Sequence, residues 1–191
     1  LNFDKQYESF ILIAKKTYVG HVVNMEGKLT NEIYARGMDF HKKNTFAFAA
    51  EKQKEIIEKI LYSNPTEDEI RTWYQSVKDE FSNKKFTIED LRITQKVGKS
   101  LTEYKKSIPL HIRLAQKLQD ETGENLLHRE IEYIVTGHDK HMQGVLTKDF
   151  DGKYDIEYYW ENKTFPVLDR VTGVVFPNVD FFQIQAGLFD N

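Results

Sequence analysis

The run YESFILIAKKTYVGHVV, Tyr7 to Val23, is dense in β-branched and aromatic residues and is interrupted by a lysine pair. Such side chains suit a pleated, half-buried surface and lose rotamer freedom in a helix, so the run predicts one or two β-strands. NMEGKLT follows with a turn at Gly27, and NEIYARGM reads as the return strand of a hairpin. A chain that opens this way is not all-helical, yet much of what comes next carries helix signals. Asn44-Thr45 stands where it can cap a helix whose apolar residues Ile56, Ile57, Ile60 and Leu61 recur at i, i+1, i+4 and i+5. Thr66 and Glu69 make a capping box with acids crowding the first turn, and the helix it starts is expected to reach about Phe81. Pro109 precedes a third helix with Leu110, Leu114, Ala115 and Leu118 on one stripe and Gly123 as its stop. REIEYIVT reads as a strand, KDFDGKYD as an acidic turn, and YDIEYYWENKTF as a helix that Pro166 breaks or kinks. The fold class is α+β: a β-hairpin followed by a mainly helical body with a small β element.

An apolar fraction of 40% with 13 Phe, 10 Tyr and 2 Trp is enough to fill a core, and 191 residues suit one large domain or a domain with an appendage. No apolar run approaches the ~20 residues that span a bilayer, and no secretory signal opens the chain, so no membrane partner is expected. Cysteine is absent, which removes disulfides, thiol catalysis and zinc–thiolate sites together. A cytoplasmic location is the expectation. The chain begins with Leu1 rather than Met in a segment that already reads as structured, as an excised piece of a longer protein would.

Charge is unevenly spread. From Arg92 to Lys117 there are seven Lys or Arg and one acid, Glu103, a local charge of +6 in a chain of formal net charge −3. Such asymmetry calls for an anionic partner on one face. Lys15, Lys16 and Tyr18 give a second basic point. Within a strand, alternation puts Lys16 and Tyr18 on one face and Lys15 with Thr17 on the other. Lys42-Lys43 gives a third, and Lys96, Lys99, Lys105 and Lys106 interleave with Ser100 and Tyr104. Taken singly, each of these is an ordinary solvated lysine. Grouped with hydroxyl and aromatic side chains, they suit a surface that tracks a phosphate backbone.

Catalytic and metal-binding candidates are poor. His138-Asp139-Lys140-His141 has no third strong ligand at helical spacing and reads as a surface loop between strands. Asp149 to Asp155 lacks the closing bidentate Glu of a calcium loop and reads as an ordinary turn. No G-x-S-x-G, phosphate-binding P-loop or G-x-G-x-x-G is present. No residue of the chain is assigned a catalytic or metal-binding role.

Three blocks carry a family resemblance. KKTYVGHVVNMEGKLTNEIYARGMDFHKKN resembles the segment of family B DNA polymerases that begins with K-K-x-Y and runs through a glycine turn to G-x-x-x-x-R-R-D. ITQKVGKSLTEYKKSIPLHIRLAQKL is similar to the family's thumb motif, I-T-K-x-L-x-K-S-L-x-E-Y followed by an H-x-x-x-A helix. YDIEYYWENKTFPVLDRV is similar to its last helix, Y-D-x-x-Y-Y-x-E-N-x-x-x-P. The blocks stand in family order over nearly the whole chain.

The resemblance implies a last palm strand at residues 1–14, a thumb at 15–184 and a tail at 185–191. It implies that Lys15, Lys16 and Tyr18 hold the primer–template near the primer end, and that Lys99, Ser100 and Tyr104 contact the duplex backbone behind the active site; Lys96 and Lys105 join the DNA-binding candidates by their grouping with these. Lys42 and Lys43 stand where the family has two arginines, and lysine lacks the bidentate fork that arginine offers phosphate. Asn44 replaces the usual acid, and Gly98 replaces a hydroxyl residue. The palm aspartates that hold two magnesium ions lie upstream of K-K-x-Y in the family, and neither S-L-Y-P-S nor D-T-D occurs here. No cofactor is therefore expected in this chain, the two magnesium ions belonging to the rest of a full-length polymerase. The expected partners are primer–template duplex DNA and the remaining palm, fingers and exonuclease domains. Expected alone, the chain binds duplex and makes no bonds; it reads as a fragment or, alternatively, as the small subunit of a split polymerase or an unrelated soluble interaction domain. Finally QAGLF, with Gln185, Leu188 and Phe189, resembles the clamp-docking peptide of bacterial polymerases. This implies a sliding-clamp partner and a kinship closest to bacterial DNA polymerase II, with archaeal and viral members as alternatives.

Overall fold

The computed structural model describes residues 4–105 and 107–182. They fall into two compact units, one built from the chain up to Lys84 together with the residues from Trp160 on, the other from Lys85–Tyr159.

The first unit begins with an antiparallel meander, β1 (Lys5–Ala14), β2 (Thr17–Met25) and β3 (Lys28–Arg36), in that spatial order. The first apolar run thus holds two strands rather than one, because the lysine pair inside it is itself a turn, and β3 is the expected return strand. Ile11 pairs with Val19 and Val19 with Ala35, and Ile11 and Val19 are buried. The β2–β3 turn is made by Glu26 and Gly27 at φ 52° and 84°, the left-handed pair that a tight two-residue hairpin demands.

After a 3₁₀ turn at Asp39–His41 come α1 (Ala47–Ser63) and α2 (Glu67–Asn83). Ile56, Ile57, Ile60 and Leu61 are buried on α1, as their spacing predicts, and the Ser9 hydroxyl donates to Leu61 O at 3.1 Å, joining β1 to the end of that helix. The expected Asn44-Thr45 cap does not form. Phe46 holds the N-cap position without a side-chain hydrogen bond, and the Thr45 hydroxyl donates instead to Asp39 O at 2.6 Å. The Thr66–Glu69 box forms in full: Thr66 N donates to Glu69 Oε2 at 2.7 Å, and Glu69 N to Thr66 Oγ1 at 3.3 Å.

The second unit holds α3 (Ile88–Leu91), β4 (Ile93–Lys96), α4 (Leu110–Thr122), β5 (Glu130–Gly137), β6 (Gln143–Leu146) and α5 (Ile156–Tyr158). β4, β5 and β6 form a second antiparallel sheet in chain order, so the small β element is three-stranded. Gly144 lets α4 lie close: a Cβ there would stand 2.5 Å from Ile134 O and 2.8 Å from Leu110 Cδ2. Tyr159 ties the unit from within, its hydroxyl donating to Leu91 O at 2.6 Å and accepting from Val135 N at 3.2 Å.

The closing helix is interrupted as Pro166 predicts. α5 passes into a π-helical stretch, Tyr159–Thr164, before α6 (Phe165–Val175) resumes with the proline in its first turn. Proline offers no N–H and its ring crowds the carbonyl four residues back, so the helix widens just ahead of it. α6 completes the core of the first unit. The Tyr74 hydroxyl meets Thr172 Oγ1 at 2.8 Å, and Phe81 takes the edges or faces of Phe46, Phe48 and Trp160 at centroid distances of 5.1–6.3 Å.

Candidate nucleic-acid interface

Lys15 and Lys16 are the two residues of the β1–β2 turn, closed by the Ala14–Thr17 pair. This corrects the expectation that alternation would put Lys16 beside Tyr18 and Lys15 beside Thr17: neither lysine lies in a strand, and both are exposed at the tip. Lys16 holds φ 64°, a left-handed conformation that disfavours an L side chain. Gly37 fits against this turn. A Cβ there would sit 2.6 Å from Lys16 O and 2.9 Å from Thr17 Oγ1, and at φ 69° glycine is the natural residue. The Asp39–Lys43 segment therefore leaves the sheet at the same end as the lysine turn.

Tyr18 belongs to an aromatic row on the other face of the meander. Its ring centroid is 5.4 Å from Phe10 and 6.2 Å from Tyr34, and Phe10 is 5.1 Å from Tyr7. Gly20 makes the row possible, since a Cβ would meet the Tyr7 ring at 2.5 Å and the Phe10 ring at 2.9 Å.

Lys42 and Lys43 differ although they adjoin. Lys42 Nζ donates to Asp39 Oδ1 at 2.5 Å, whereas Lys43 is exposed and forms no ion pair among the described residues. Asp39 is the hub. It accepts from Arg170 Nη1 at 2.8 and 2.9 Å and from Gln53 Nε2 at 3.3 Å. Burial alone would raise its carboxyl, but the hydrogen bonds from Lys42, Arg170 and Gln53 and the Arg170 charge hold it below the usual carboxylate range. Neither Asp39 nor Arg170 stood out in the sequence. They are 131 positions apart, and no local spacing announces their contact.

In the second unit the basic stretch sorts itself by partner. Arg92 pairs with Glu132 at 3.6 Å, Lys117 with Glu121 at 3.8 Å, and Arg113 Nη2 donates to Met142 O. Lys96, at the end of β4 and across from Glu130 on β5, and Lys105 are exposed and form no ion pair among the described residues. Lys99 Nζ lies 4.6 Å from the Tyr104 ring centroid, a cation–π contact that leaves its charge unneutralised. The loop carrying Lys99 and Ser100 is pinned by buried Val97 on one side and Leu101 on the other, with Val97 N donating to Arg129 O at 2.9 Å. Glu103, the one acid of the stretch, accepts from Ser100 N at 3.1 Å. Of the interleaved Lys99, Ser100 and Tyr104, the lysine and the tyrosine are in contact, while the Ser100 hydroxyl lies 3.0 Å from Thr102 Oγ1. Lys106, Gln185, Leu188 and Phe189 lie outside the described residues.

His138 to His141 form a loop between β5 and β6, as read from the sequence, and His138 Nδ1 is 2.5 Å from Asp155 Oδ2. Magnesium takes oxygen ligands, carboxylates foremost. Among the described residues no three His, Asp or Glu converge enough to hold a metal ion. No helix among them is long and apolar enough to cross a membrane.

A two-sheet α+β chain with unpaired lysines on turns and loops is the frame within which the comparisons fall. The model of DNA polymerase family B matches residues 1–171, and the chain belongs to that family. A DNA polymerase of Thermococcus aggregans is 30% identical over 175 residues, covering 87% of this chain and 9% of that protein. One from Pyrococcus glycovorans is 29% identical over 175 residues, covering 87% of this chain and 22% of that protein. The structure of the family B DNA polymerase from the hyperthermophilic archaeon Pyrobaculum calidifontis shares the fold, with a TM-score of 0.64 and 24% identity over 90% of this chain and 22% of that one. The chain thus spans between 9% and 22% of the length of these relatives.

Proposed function

We propose that this chain is the thumb portion of a family B DNA polymerase, with the last palm strand at 1–14, and that it grips primer–template duplex through its backbone. The observation that supports this most is the sorting of the lysines. Among the described residues Lys99 and Lys105 of the basic stretch lack the ion pairs that Arg92 and Lys117 have, Lys96 stands opposite Glu130 in the sheet without forming one, and in the first unit Lys15, Lys16 and Lys43 lack the acid that holds Lys42. Unneutralised ammonium groups on loops beside Ser100 and Tyr104 suit phosphate contacts, which position a duplex without reading its sequence. In this reading the palm, fingers and exonuclease domains are partners, and the palm aspartates with their two magnesium ions perform phosphoryl transfer. The proposed setting is cytoplasmic.

The tail is proposed to dock on a sliding clamp, with Leu188 and Phe189 filling an apolar pocket and Gln185 at its rim. The kinship to bacterial DNA polymerase II is carried by that tail alone; the relatives named above are archaeal.

Titration of a fluorescent duplex tests the function. The chain binds weakly and without sequence preference, loses roughly hundredfold affinity between low and moderate salt for about three to five phosphate contacts, and extends no primer with magnesium or manganese. Absence of duplex binding at low salt would overturn the reading.

A further inference from the structure

The Asp39 cluster joins two cations that the sequence keeps far apart. Lys42 Nζ and Arg170 Nη1 bind the same oxygen, Asp39 Oδ1, at 2.5 and 2.8 Å, which brings both nitrogens within reach of a single phosphate. Two cations on one carboxylate leave a local charge of +1. The carboxylate is the buried member, its side chain 11% exposed, while the Lys42 and Arg170 side chains are 54% and 41% exposed. An anion approaching from solvent therefore meets donors first. Lysine carries three N–H donors and arginine five, so both keep donors beyond those given to Asp39.

The cluster is also held in place. Lys42 N donates to Asp39 O at 2.9 Å, and Thr45 Oγ1 donates to the same carbonyl at 2.6 Å. Gln53, fully buried on α1, accepts from Phe40 N at 3.1 Å and donates to Val167 O at 2.6 Å, which fixes α6 and its Arg170 against this segment. A ligand group bound here would have little ordering left to impose.

We infer that Lys42 and Arg170, clasped by Asp39, form a phosphate-binding pair, with Arg170 as a duplex-contacting residue supplying the planar fork that Lys42 and Lys43 lack. Asp39 is then a positioning residue that aims both cations and trims their combined charge. The phosphodiester source rests on the duplex-binding reading above; the anion site itself does not.

Two measurements on the whole chain test it. In the first, pyrophosphate is titrated while the Arg170 Nε–H resonance is followed by NMR, the signal being assigned by its loss in Arg170→Lys. A saturable shift that weakens several-fold in Lys42→Gln is expected. An Arg170 signal that does not move, or moves equally in Lys42→Gln, overturns the pair. In the second, the salt dependence of duplex binding is compared in wild type, Arg170→Gln and Asp39→Asn. Arg170→Gln loses about 0.9 from the slope of log K against log salt for its one phosphate, Arg170→Lys restores most of it, and Asp39→Asn steepens the slope by raising the local charge to +2. A merely structural Asp39 would lower stability in Asp39→Asn without steepening the slope, and that result counts against the inference. Wild type that binds duplex while Arg170→Gln keeps the full slope overturns the inference alone. If wild type ignores duplex while pyrophosphate still moves Arg170, the duplex reading falls and the anion site stands.

Discussion

Asp39 shows how one side chain couples stability to pH. Its carboxyl is buried, which taken alone would raise its pKa, yet the donors from Lys42, Arg170 and Gln53 and the Arg170 charge bring it below the ordinary 3.8. A carboxyl depressed by folding contributes stability that is fully present above its unfolded pKa and is lost as pH falls through the lower folded value. Wild type is therefore expected to exceed Asp39→Asn in Tm at neutral pH, with the gap narrowing as the pH is lowered from about 5 towards 2. Thermal melts of both proteins across that range measure it, and a gap that stays constant would mean the carboxylate is not held as described. Lys16 makes the converse point. A left-handed lysine at an exposed tip is unfavourable locally, and the turn it makes leaves no room for a side chain at the neighbouring position 37, which is glycine.

Among the elements, the legible ones were those whose signals are local. The Thr66–Glu69 box, the Gly123 stop and the Pro166 interruption each act within one turn of chain, and each stands where its residues predict. The misread ones needed distant partners. Thr45 is drawn from its capping role to the Asp39 carbonyl, and β4 and β6 have only four residues each, too few for alternation to show. The lysine pair was taken as strand because the flanking residues are so strongly β-forming; the turn is visible only once Ala14 is seen to pair with Thr17. The candidate lysines were legible as a charge pattern, but that Asp39 holds Lys42 was not, since Asp39 is itself fixed by Arg170, 131 positions away. The aromatic row of the first sheet gives a test at this scale. Gly20→Ala places a Cβ 2.9 Å from the Ser9 carbonyl as well as against the Tyr7 and Phe10 rings, and a backbone atom within a sheet does not give way as a ring does. A loss of about 1–3 kcal/mol in denaturant unfolding is expected. Unchanged stability would show that the strands are not packed at this distance.

At the scale of the whole molecule, a family B segment covering between 9% and 22% of its relatives is proposed to supply grip rather than chemistry. Its formal charge of −3 argues against general adhesion to polyanions, so binding has to come from the places where cations outnumber their acid partners. That makes the salt dependence of duplex binding in a Lys16→Gln/Lys99→Gln/Lys105→Gln triple variant the most direct measurement. One of these lysines is on the β1–β2 turn and two are in the basic stretch of the second unit. If they meet phosphates, the slope of log K against log salt flattens by about 0.9 for each contact removed, and affinity at low salt falls with it. A triple variant that folds and keeps the wild-type slope would contradict the account, because the surface holding the duplex would then lie elsewhere.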